Sequence, residues 1–329
     1  MAGGNCGASL MSEVLVVGAG AWGTALAIHA ASIGRRVTLW ARDPARAAVI
    51  AATRENPRLP GVALPAPIAV TAAMEPAAIV LLAVPVAYVA ATAALLPAAP
   101  VLACAKGFEA GTLRLPLETL ASVRPDLHTG VLTGPNFAGE IARGMPAASV
   151  VASADAALRE HAIGLLGGGA LRLYGNADAV GAQVGGAAKN VIAIAAGAAI
   201  GAGFGENARA ALITRGLAEI ARLAVALGGR AETVAGLSGL GDLVLTCTGA
   251  ASRNFAHGLA LGRGATPDQA MSGRSHAVEG AASAAPLLAR ARAAGVAMPI
   301  CEEVAGLLAG KTRPFDALRR LTSRTQTDE

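Results

Sequence analysis

The chain has 329 residues, enough for two domains that each bury a hydrophobic core. Apolar residues make up 54% of it and charged residues only 15%, which excludes a chain that is disordered throughout. The net charge of +5 comes from scattered basic residues, a pattern that favours an ordinary solvated surface or small anionic ligands over nucleic acid.

Short apolar runs alternate with helical segments over the first half of the chain. Such runs predict strands at 13–17, 36–40, 68–71, 79–84, 101–105, 130–133 and 148–152. A helix is predicted at 24–33, ended by Gly34. This alternation predicts an α/β fold with a Rossmann-type, doubly wound parallel sheet. Residues 1–12 lack the basic flank and apolar segment of a signal peptide, and we expect them to form a disordered extension.

The uncharged stretch at 76–105 is long enough to cross a bilayer. Pro85, Pro97 and Pro100 interrupt it, and its apolar pieces are typical of parallel strands that are buried on both faces. The cysteines and histidines show no disulfide, zinc or other metal-binding spacing. We therefore predict a soluble, cytoplasmic protein without membrane insertion and without a metal site.

Near residue 180 the strands give way to long helical segments. Residues 207–227 carry apolar side chains at helical spacing, and further helices are predicted at 252–261, 280–294 and 302–309. We place a dinucleotide-binding domain at 13–183 and an α-helical substrate and catalytic domain at 184–329.

The segment Gly18-Ala19-Gly20-Ala21-Trp22-Gly23 matches GxGxxG between a predicted strand and a predicted helix. In a dinucleotide site, Gly18 makes the tight turn, Gly20 admits the pyrophosphate, and Gly23 lets the helix pack close to the strand. The phosphates then face the positive end of the helix. A plain strand-to-helix turn is the alternative.

The end of the second strand selects between the two nicotinamide cofactors. An acidic residue there binds the ribose 2′-hydroxyl, whereas an arginine accommodates a 2′-phosphate. The chain offers both in Arg42-Asp43. Arg42 favours NADPH, with NADH left open and a role in a solvated loop as the alternative.

Lys189 and Asn190 follow two glycines on a predicted apolar helix. Gly185 and Gly186 lie on the face of Lys189 and are expected to leave room for a ligand. Burial would lower the pKa of this lysine toward the range useful for proton transfer, and Asn190 could orient a hydroxyl group. A surface lysine is the alternative.

Three other clusters add polar groups. Asp242 lies between a glycine turn and an apolar run, as a helix cap or a direct participant. The sequence Ser252-Arg253-Asn254 at a predicted helix start suits a phosphate or is an ordinary cap. Lys106 and the loop at 134–138 follow strands at the edge where ligands bind, although either could be only a turn.

Together these motifs resemble bacterial NAD(P)-dependent glycerol-3-phosphate dehydrogenases. The resemblance runs from about residue 13 to residue 305. The matching segments, in family order, are GAGAWGTALA, LWARDP, AKGFE, LTGPNFAGEIARGMP, GGAAKNVIAIAAG, NARAALITRGLAE, GLGDLVLTCT, SRN and AVEG.

The resemblance implies reversible reduction of dihydroxyacetone phosphate to sn-glycerol 3-phosphate for glycerophospholipid synthesis, and a homodimer. The implied catalytic residues are Lys189, as proton donor, Asn190 and Asp242. The implied substrate contacts are Lys106, Gly134, Asn136, Lys189, Asp242, Thr246, Ser252, Arg253 and Asn254. The implied contacts to NADPH or NADH are Gly18, Gly20, Ala21, Trp22, Gly23, Arg42, Lys106, Ala138, Arg253, Val278 and Glu279. Ala21 replaces a frequent serine of the family, and Asn136 stands where serine or threonine is common.

Two alternatives remain at this point. A β-hydroxyacid dehydrogenase also joins a Rossmann domain to a helical domain and uses a lysine beside an asparagine, but the Ser252-Arg253-Asn254 cluster argues against it. A non-catalytic dinucleotide-binding protein is disfavoured by the Lys189–Asn190 pair.

Overall fold

The computed structural model describes residues 12–249, 251–272 and 278–323. Of the extension predicted over 1–12, all but Ser12 lies outside the described residues, and Ser12 begins the first strand. The predicted α/β Rossmann-type fold followed by an α-helical region is confirmed.

One eight-stranded sheet occupies the first half of the chain. Its strands are β1 Ser12–Val17, β2 Val37–Trp40, β3 Ile68–Thr71, β4 Ala77–Leu82, β5 Val101–Ala103, β6 Thr129–Thr133, β7 Ala147–Ala152 and β8 Leu171–Asn176. Their order is β3-β2-β1-β4-β5-β6-β7-β8. Val14 of β1 lies opposite Val37 on one side and Ile79 on the other, so the first two cross-over units share a central strand.

Helices cover both faces of the sheet. They are α1 Ala21–Ser32, α2 Pro44–Thr53, α3 Val89–Ala93, α4 Pro116–Val123, α5 Ala138–Ala142 and α6 Ala156–Leu166. A short 3₁₀ turn, Val86–Tyr88, precedes α3. Helices α1, α2, α5 and α6 bury side chains against one face, while α3 and α4 pack on the other together with the start of the first helix of the second half.

The structure corrects four details of the predicted sheet domain. Strand β8 was not predicted, and β7 runs antiparallel to β6, so the sheet is not wholly parallel. Helix α1 begins at Ala21, before the predicted start at Thr24, because Gly20 is its N-cap and the Thr24 hydroxyl is bonded to Asn56 instead. Strands β4 and β5 end two residues before their predicted ends.

The second half is helical over its described residues. Its helices are α7 Ala179–Gly201, α8 Gly205–Ala226, α9 Ala231–Val234, α10 Asp242–Cys247, α11 Arg253–Gly262, α12 Pro267–Met271, α13 Glu279–Ala293, α14 Pro299–Leu308 and α15 Pro314–Thr322, with a π-helical turn at Leu237–Gly241. The helices predicted from periodicity correspond to α8, α11, α13 and α14. The domain boundary predicted at 183/184 falls within α7.

Helix α7 forms the centre of this half. By length and composition it could cross a membrane, but 89% of its apolar 18-residue stretch is buried inside the protein, as in a core helix. Its backbone touches that of α11. A Cβ atom at Gly197 would lie 2.1 Å from the Phe255 carbonyl oxygen, and one at Gly258 would lie 2.0 Å from that of Ile194. Only glycine allows so close a contact at these positions.

A buried carboxylate joins α8 to α14. Glu219 accepts hydrogen bonds from the backbone N–H groups of Ile300 (2.7 Å) and Cys301 (3.4 Å), in the first turn of α14. Burial raises the pKa of Glu219 to about 7, while these two hydrogen bonds oppose the rise. Glu219 thus supplies acceptors to N–H groups that have no partner within their own helix.

Candidate active site

The glycine loop lies at the point where the strand order reverses, between β1 and β4. Gly18 has φ +119°, and a Cβ atom there would lie 2.7 Å from the Ala83 carbonyl oxygen. At Gly23 a Cβ atom would lie 2.0 Å from the Gly18 carbonyl oxygen. A Cβ atom at Gly20 would have no atom of the described residues within 4 Å, so the loop is packed from behind and open in front. This cradle fits the pyrophosphate of a dinucleotide.

Two side chains hold the glycine loop from behind, and sequence reasoning missed both. The Ala19 carbonyl oxygen accepts hydrogen bonds from Arg46 (2.6 Å) and from the amide of Asn56 (3.2 Å). Asn56 also donates to the Thr24 hydroxyl at 2.6 Å. These residues lie on and beyond α2, so no pattern near the loop could have identified them.

Arg42 and Asp43 have different surroundings at the end of β2. Asp43 caps α2, since its Oδ1 atom accepts a hydrogen bond from the Ala45 N–H at 2.9 Å. The exposed Arg42 guanidinium lies over the Tyr88 ring, 5.2 Å from its centroid. Tyr88 was not predicted. It is an exposed aromatic side chain six residues after β4, and that exposure is apparent only in the structure.

A lysine–aspartate–lysine cluster forms the polar centre of the site. The Asp242 carboxylate is fully buried, and each of its oxygens accepts from one ammonium group, Oδ2 from Lys106 at 2.5 Å and Oδ1 from Lys189. Lys189 also donates to the Thr246 hydroxyl at 2.9 Å, and Lys106 to the Gly134 carbonyl oxygen at 3.3 Å. The structure therefore brings together five of the predicted site residues from four separate segments.

The sequence left open whether Asp242 caps a helix. Asp242 begins α10, but its carboxylate is committed to the two lysines, and among the described residues no side chain caps the start of α10, whose N-cap is Gly241. The preceding π-helical turn and α10 both pack on α7, which carries Lys189. Lys106 reaches the same carboxylate from the loop after β5.

Lys189 is only 7% exposed. Burial lowers its pKa to about 8, and the positive charge of Lys106 acts in the same direction, whereas the Asp242 carboxylate opposes both. An ammonium group with this pKa can both lose and regain a proton near neutral pH.

The two glycines before Lys189 have unequal surroundings. The prediction that Gly185 leaves room for a ligand is wrong, because a Cβ atom there would lie 2.7 Å from the Ser238 carbonyl oxygen. Backbone of the π-helical turn occupies that space. Gly186 instead faces the Thr133 hydroxyl and the aliphatic stem of Lys106, at 3.3 and 3.4 Å from an ideal Cβ.

Asn190 links three helices beside the lysine cluster. Its Oδ1 atom accepts from Asn254 of α11 at 2.9 Å, and its amide donates to Glu279 of α13 at 3.4 Å. Asn254 in turn accepts from the Gly280 N–H at 2.9 Å. The Arg253 guanidinium lies 3.4 Å from Glu279, and both of these side chains are about half exposed, at 52% and 49%.

The other predicted contacts lie around this network or the glycine loop. Ser252 caps α11 by accepting from the Phe255 N–H at 3.2 Å. Val278 is the N-cap residue of α13. Asn136 turns toward β7, where its amide donates to the Ser149 hydroxyl at 2.6 Å. Ala138 begins α5, which packs on α1, and Ala21 and Trp22 form the first turn of α1.

Within the described part of the chain, no group of three or more His, Cys, Asp or Glu side chains could hold a metal ion. The cysteines described there, Cys104, Cys247 and Cys301, are buried and free.

Two sequence profiles match the chain. Residues 13–159 match the profile described as the N-terminus of NAD-dependent glycerol-3-phosphate dehydrogenase, and residues 178–319 match the one described as its C-terminus.

Individual relatives agree with these profiles. The chain is 54% identical over 319 residues to a glycerol-3-phosphate dehydrogenase (NAD(P)+) of Acidiphilium cryptum, covering 96% of this chain and 98% of the relative. It is 49% identical over 323 residues to that of Gluconobacter oxydans, with 96% and 98% covered. The crystal structure of glycerol-3-phosphate dehydrogenase from Coxiella burnetii superimposes with a TM-score of 0.89 at 35% identity, covering 95% of this chain and 99% of that one.

Proposed function

The chain belongs to the NAD-dependent glycerol-3-phosphate dehydrogenase family, and we therefore propose that Lys189 donates the proton in its reduction of dihydroxyacetone phosphate to sn-glycerol 3-phosphate. The protein is an NAD(P)-dependent oxidoreductase. The observation that carries the role of Lys189 is its burial beside Asp242, with a pKa lowered to about 8. The reaction is reversible, and its reductive direction supplies glycerophospholipid synthesis.

The dinucleotide, Lys189 and Asp242 each have a different role in the proposed reaction. The bound reduced dinucleotide supplies the hydride for the carbonyl carbon. Lys189 donates its proton to the carbonyl oxygen, which becomes the new hydroxyl group, and the resulting neutral amine regains a proton before the next turnover. Asp242 holds the ammonium groups of Lys189 and Lys106 in place, so the positive charge is already positioned where negative charge develops.

The phosphate group of the substrate lies, in this proposal, at the start of α11. Arg253 provides a cation there, and the N-terminal N–H groups of α11 point the same way. Both polar ends of the Asn254 amide are bonded to protein, to Asn190 and to the Gly280 N–H. We therefore assign Asn254 mainly to holding α11 against α7 and α13.

Oxidation of NADPH by the purified protein with dihydroxyacetone phosphate tests the function directly. We expect saturable turnover that requires the phosphate group, so that dihydroxyacetone itself is a poor substrate. A β-hydroxyacid assayed with NADP+ serves as the comparison. Turnover of that acid without turnover of dihydroxyacetone phosphate would replace this proposal with the β-hydroxyacid dehydrogenase alternative.

We place the enzyme in the cytoplasm and expect a homodimer. The cysteine pattern supports a reducing compartment. The helical second half supports pairing of two chains only as a general tendency of such domains.

The pH dependence of the reaction should report Lys189. From about pH 7 to about pH 10, kcat/KM for the reduction should fall as pH rises through about 8, because only the protonated amine is a donor. In the oxidation of glycerol 3-phosphate it should rise over the same interval, because the neutral amine then accepts the proton. Initial rates at subsaturating substrate measure both limbs, and parallel limbs in the two directions would contradict this role.

Arg42→Ala should raise the Kd of NADPH by about 10-fold or more and change that of NADH by less than about twofold. The guanidinium can bind a 2′-phosphate, whereas Asp43 is already committed to capping α2. Fluorescence titration with each dinucleotide measures the two constants. Arg172→Ala is the matched control, because its guanidinium also stacks 5.2 Å from a tyrosine ring, Tyr174, but at the far edge of the sheet. Equal weakening of both dinucleotides would overturn the assignment.

A further inference from the structure

Thr133 is the last residue of β6, at the carboxyl end of the strand, where one of the loops of the site begins. Its side chain lies on the same face as Val131, which packs in a cluster with Ala182 of α7. Thr133 is 5% exposed, and its Oγ1 atom has no hydrogen-bond partner in the part of the chain that the structure describes. Because buried polar atoms are nearly always bonded, this hydroxyl points to a missing partner.

The neighbours of this hydroxyl belong to the catalytic cluster. Oγ1 lies 3.3 Å from the ideal Cβ position of Gly186, and the Lys106 stem lies 3.4 Å from the same point. Gly186 precedes Lys189 by three residues on α7, so the two lie on one face of the helix. Thr133 therefore borders the site from the sheet while Lys189 borders it from the helix.

We propose that the Thr133 hydroxyl binds the free primary hydroxyl group of the ketone substrate and makes the enzyme selective for a hydroxymethyl ketone. The inference rests on the function proposed above. The substrate is a better partner than the dinucleotide phosphates, because those are assigned to the glycine loop at β1, whereas Thr133 faces α7. The ammonium of Lys106 donates to Gly134 and Asp242, and among the described residues no hydrogen bond joins it to this hydroxyl, which leaves the hydroxyl to a ligand.

The experiment compares two substrates in three proteins. The substrates are dihydroxyacetone phosphate and hydroxyacetone phosphate, in which a methyl group replaces the hydroxymethyl group. The proteins are the wild type, Thr133→Val, which has nearly the same shape without the hydroxyl, and Thr133→Ser, which keeps the hydroxyl. Values of kcat/KM are measured with NADPH, together with the Kd of NADPH and the Tm.

We expect Thr133→Val to lower kcat/KM for dihydroxyacetone phosphate by about 10- to 100-fold and that for the methyl analogue by less than about twofold. Thr133→Ser should retain most of the discrimination. The Tm of Thr133→Val should be unchanged or higher, because the methyl group replaces a hydroxyl that no group in the described part of the chain bonds.

Three results would overturn the inference. Equal losses for both substrates would show that the hydroxyl does not recognise the hydroxymethyl group. A weaker Kd for NADPH as the main effect would make Thr133 a cofactor contact. A lower Tm with unchanged kinetics would make it part of the core. Failure of the wild type to reduce dihydroxyacetone phosphate would instead refute the proposed function, so the two failures are distinct.

Discussion

Lys189→Met is expected to lower kcat for the reduction of dihydroxyacetone phosphate by about 10²- to 10⁴-fold while NADPH binds with nearly its original Kd. Methionine keeps an unbranched side chain in a buried space but has no proton to donate. The glycine loop, Arg42 and Tyr88 lie on other elements and are untouched by the change. Steady-state rates and fluorescence titration with NADPH measure the two quantities.

Lys311→Met is the control for Lys189→Met. Lys311 is exposed and follows α14, so its replacement removes one positive charge without touching the site. It should keep full activity. If Lys189→Met also turned over at the wild-type rate, Lys189 would not be the proton donor, and the central step of the proposed reaction would have to be reassigned.

Asp242→Asn is expected to damage both stability and catalysis. A neutral amide leaves the buried Lys189 ammonium and the partly buried Lys106 ammonium without their shared negative charge, and breaking a buried pair costs about 3–5 kcal/mol of unfolding free energy. The Asp242 carboxylate raises the pKa of Lys189 against the effect of burial, so its removal should lower that pKa further. A larger fraction of Lys189 would then be neutral at neutral pH, and kcat/KM for the reduction should fall by about 10-fold or more.

The pH profile distinguishes a change in the pKa of Lys189 from a general loss of stability. In Asp242→Asn the basic limb of kcat/KM should move to lower pH, with chemical denaturation measuring the stability loss in parallel. Glu219→Gln is the matched control, because it also neutralises a buried carboxylate, the one that binds the start of α14. The position of its pH limb should stay that of the wild type. An unmoved limb in Asp242→Asn would show that the carboxylate does not tune Lys189.

The fold could be predicted where local patterns decide it. Continuous apolar runs indicated seven of the eight strands, and helical periodicity indicated α8, α11, α13 and α14. Strand β8 alternates between buried and exposed side chains and ends in Gly175-Asn176, a weaker pattern than that of its buried neighbours. The antiparallel direction of β7 depends on the path of the β6–β7 connection, in which the five-residue α5 packs on α1. Residue types alone carry no information about that path.

The site was predictable in its parts more than in its assembly. Lys189, Asp242 and Lys106 each stood out through an unusual local setting, and the family resemblance that linked them is confirmed. Their meeting on one carboxylate depends on how α10 and the β5 loop pack against α7. Asn56 and Thr133 gave no local signal, because an asparagine in a loop and a threonine at a strand end are ordinary. Asn56 matters because it binds the Ala19 carbonyl oxygen, and Thr133 matters because its hydroxyl has no hydrogen-bond partner among the described residues.

The close backbone approach of α7 and α11 at Gly197 and Gly258 has a consequence for which molecules can react. Because the main chains of α7 and α11 are in direct contact, the distance between the two helices is fixed, and no rotation of a side chain can change it. In the proposed function, the proton donor Lys189 lies on α7, and Arg253, which binds the phosphate, is the first residue of α11. In the proposed function, the helix pair therefore sets a fixed distance between the groups that bind the ketone and the phosphate. A substrate with one more carbon between its ketone and its phosphate would then not fit between these groups, so the main chain itself limits the length of the substrate.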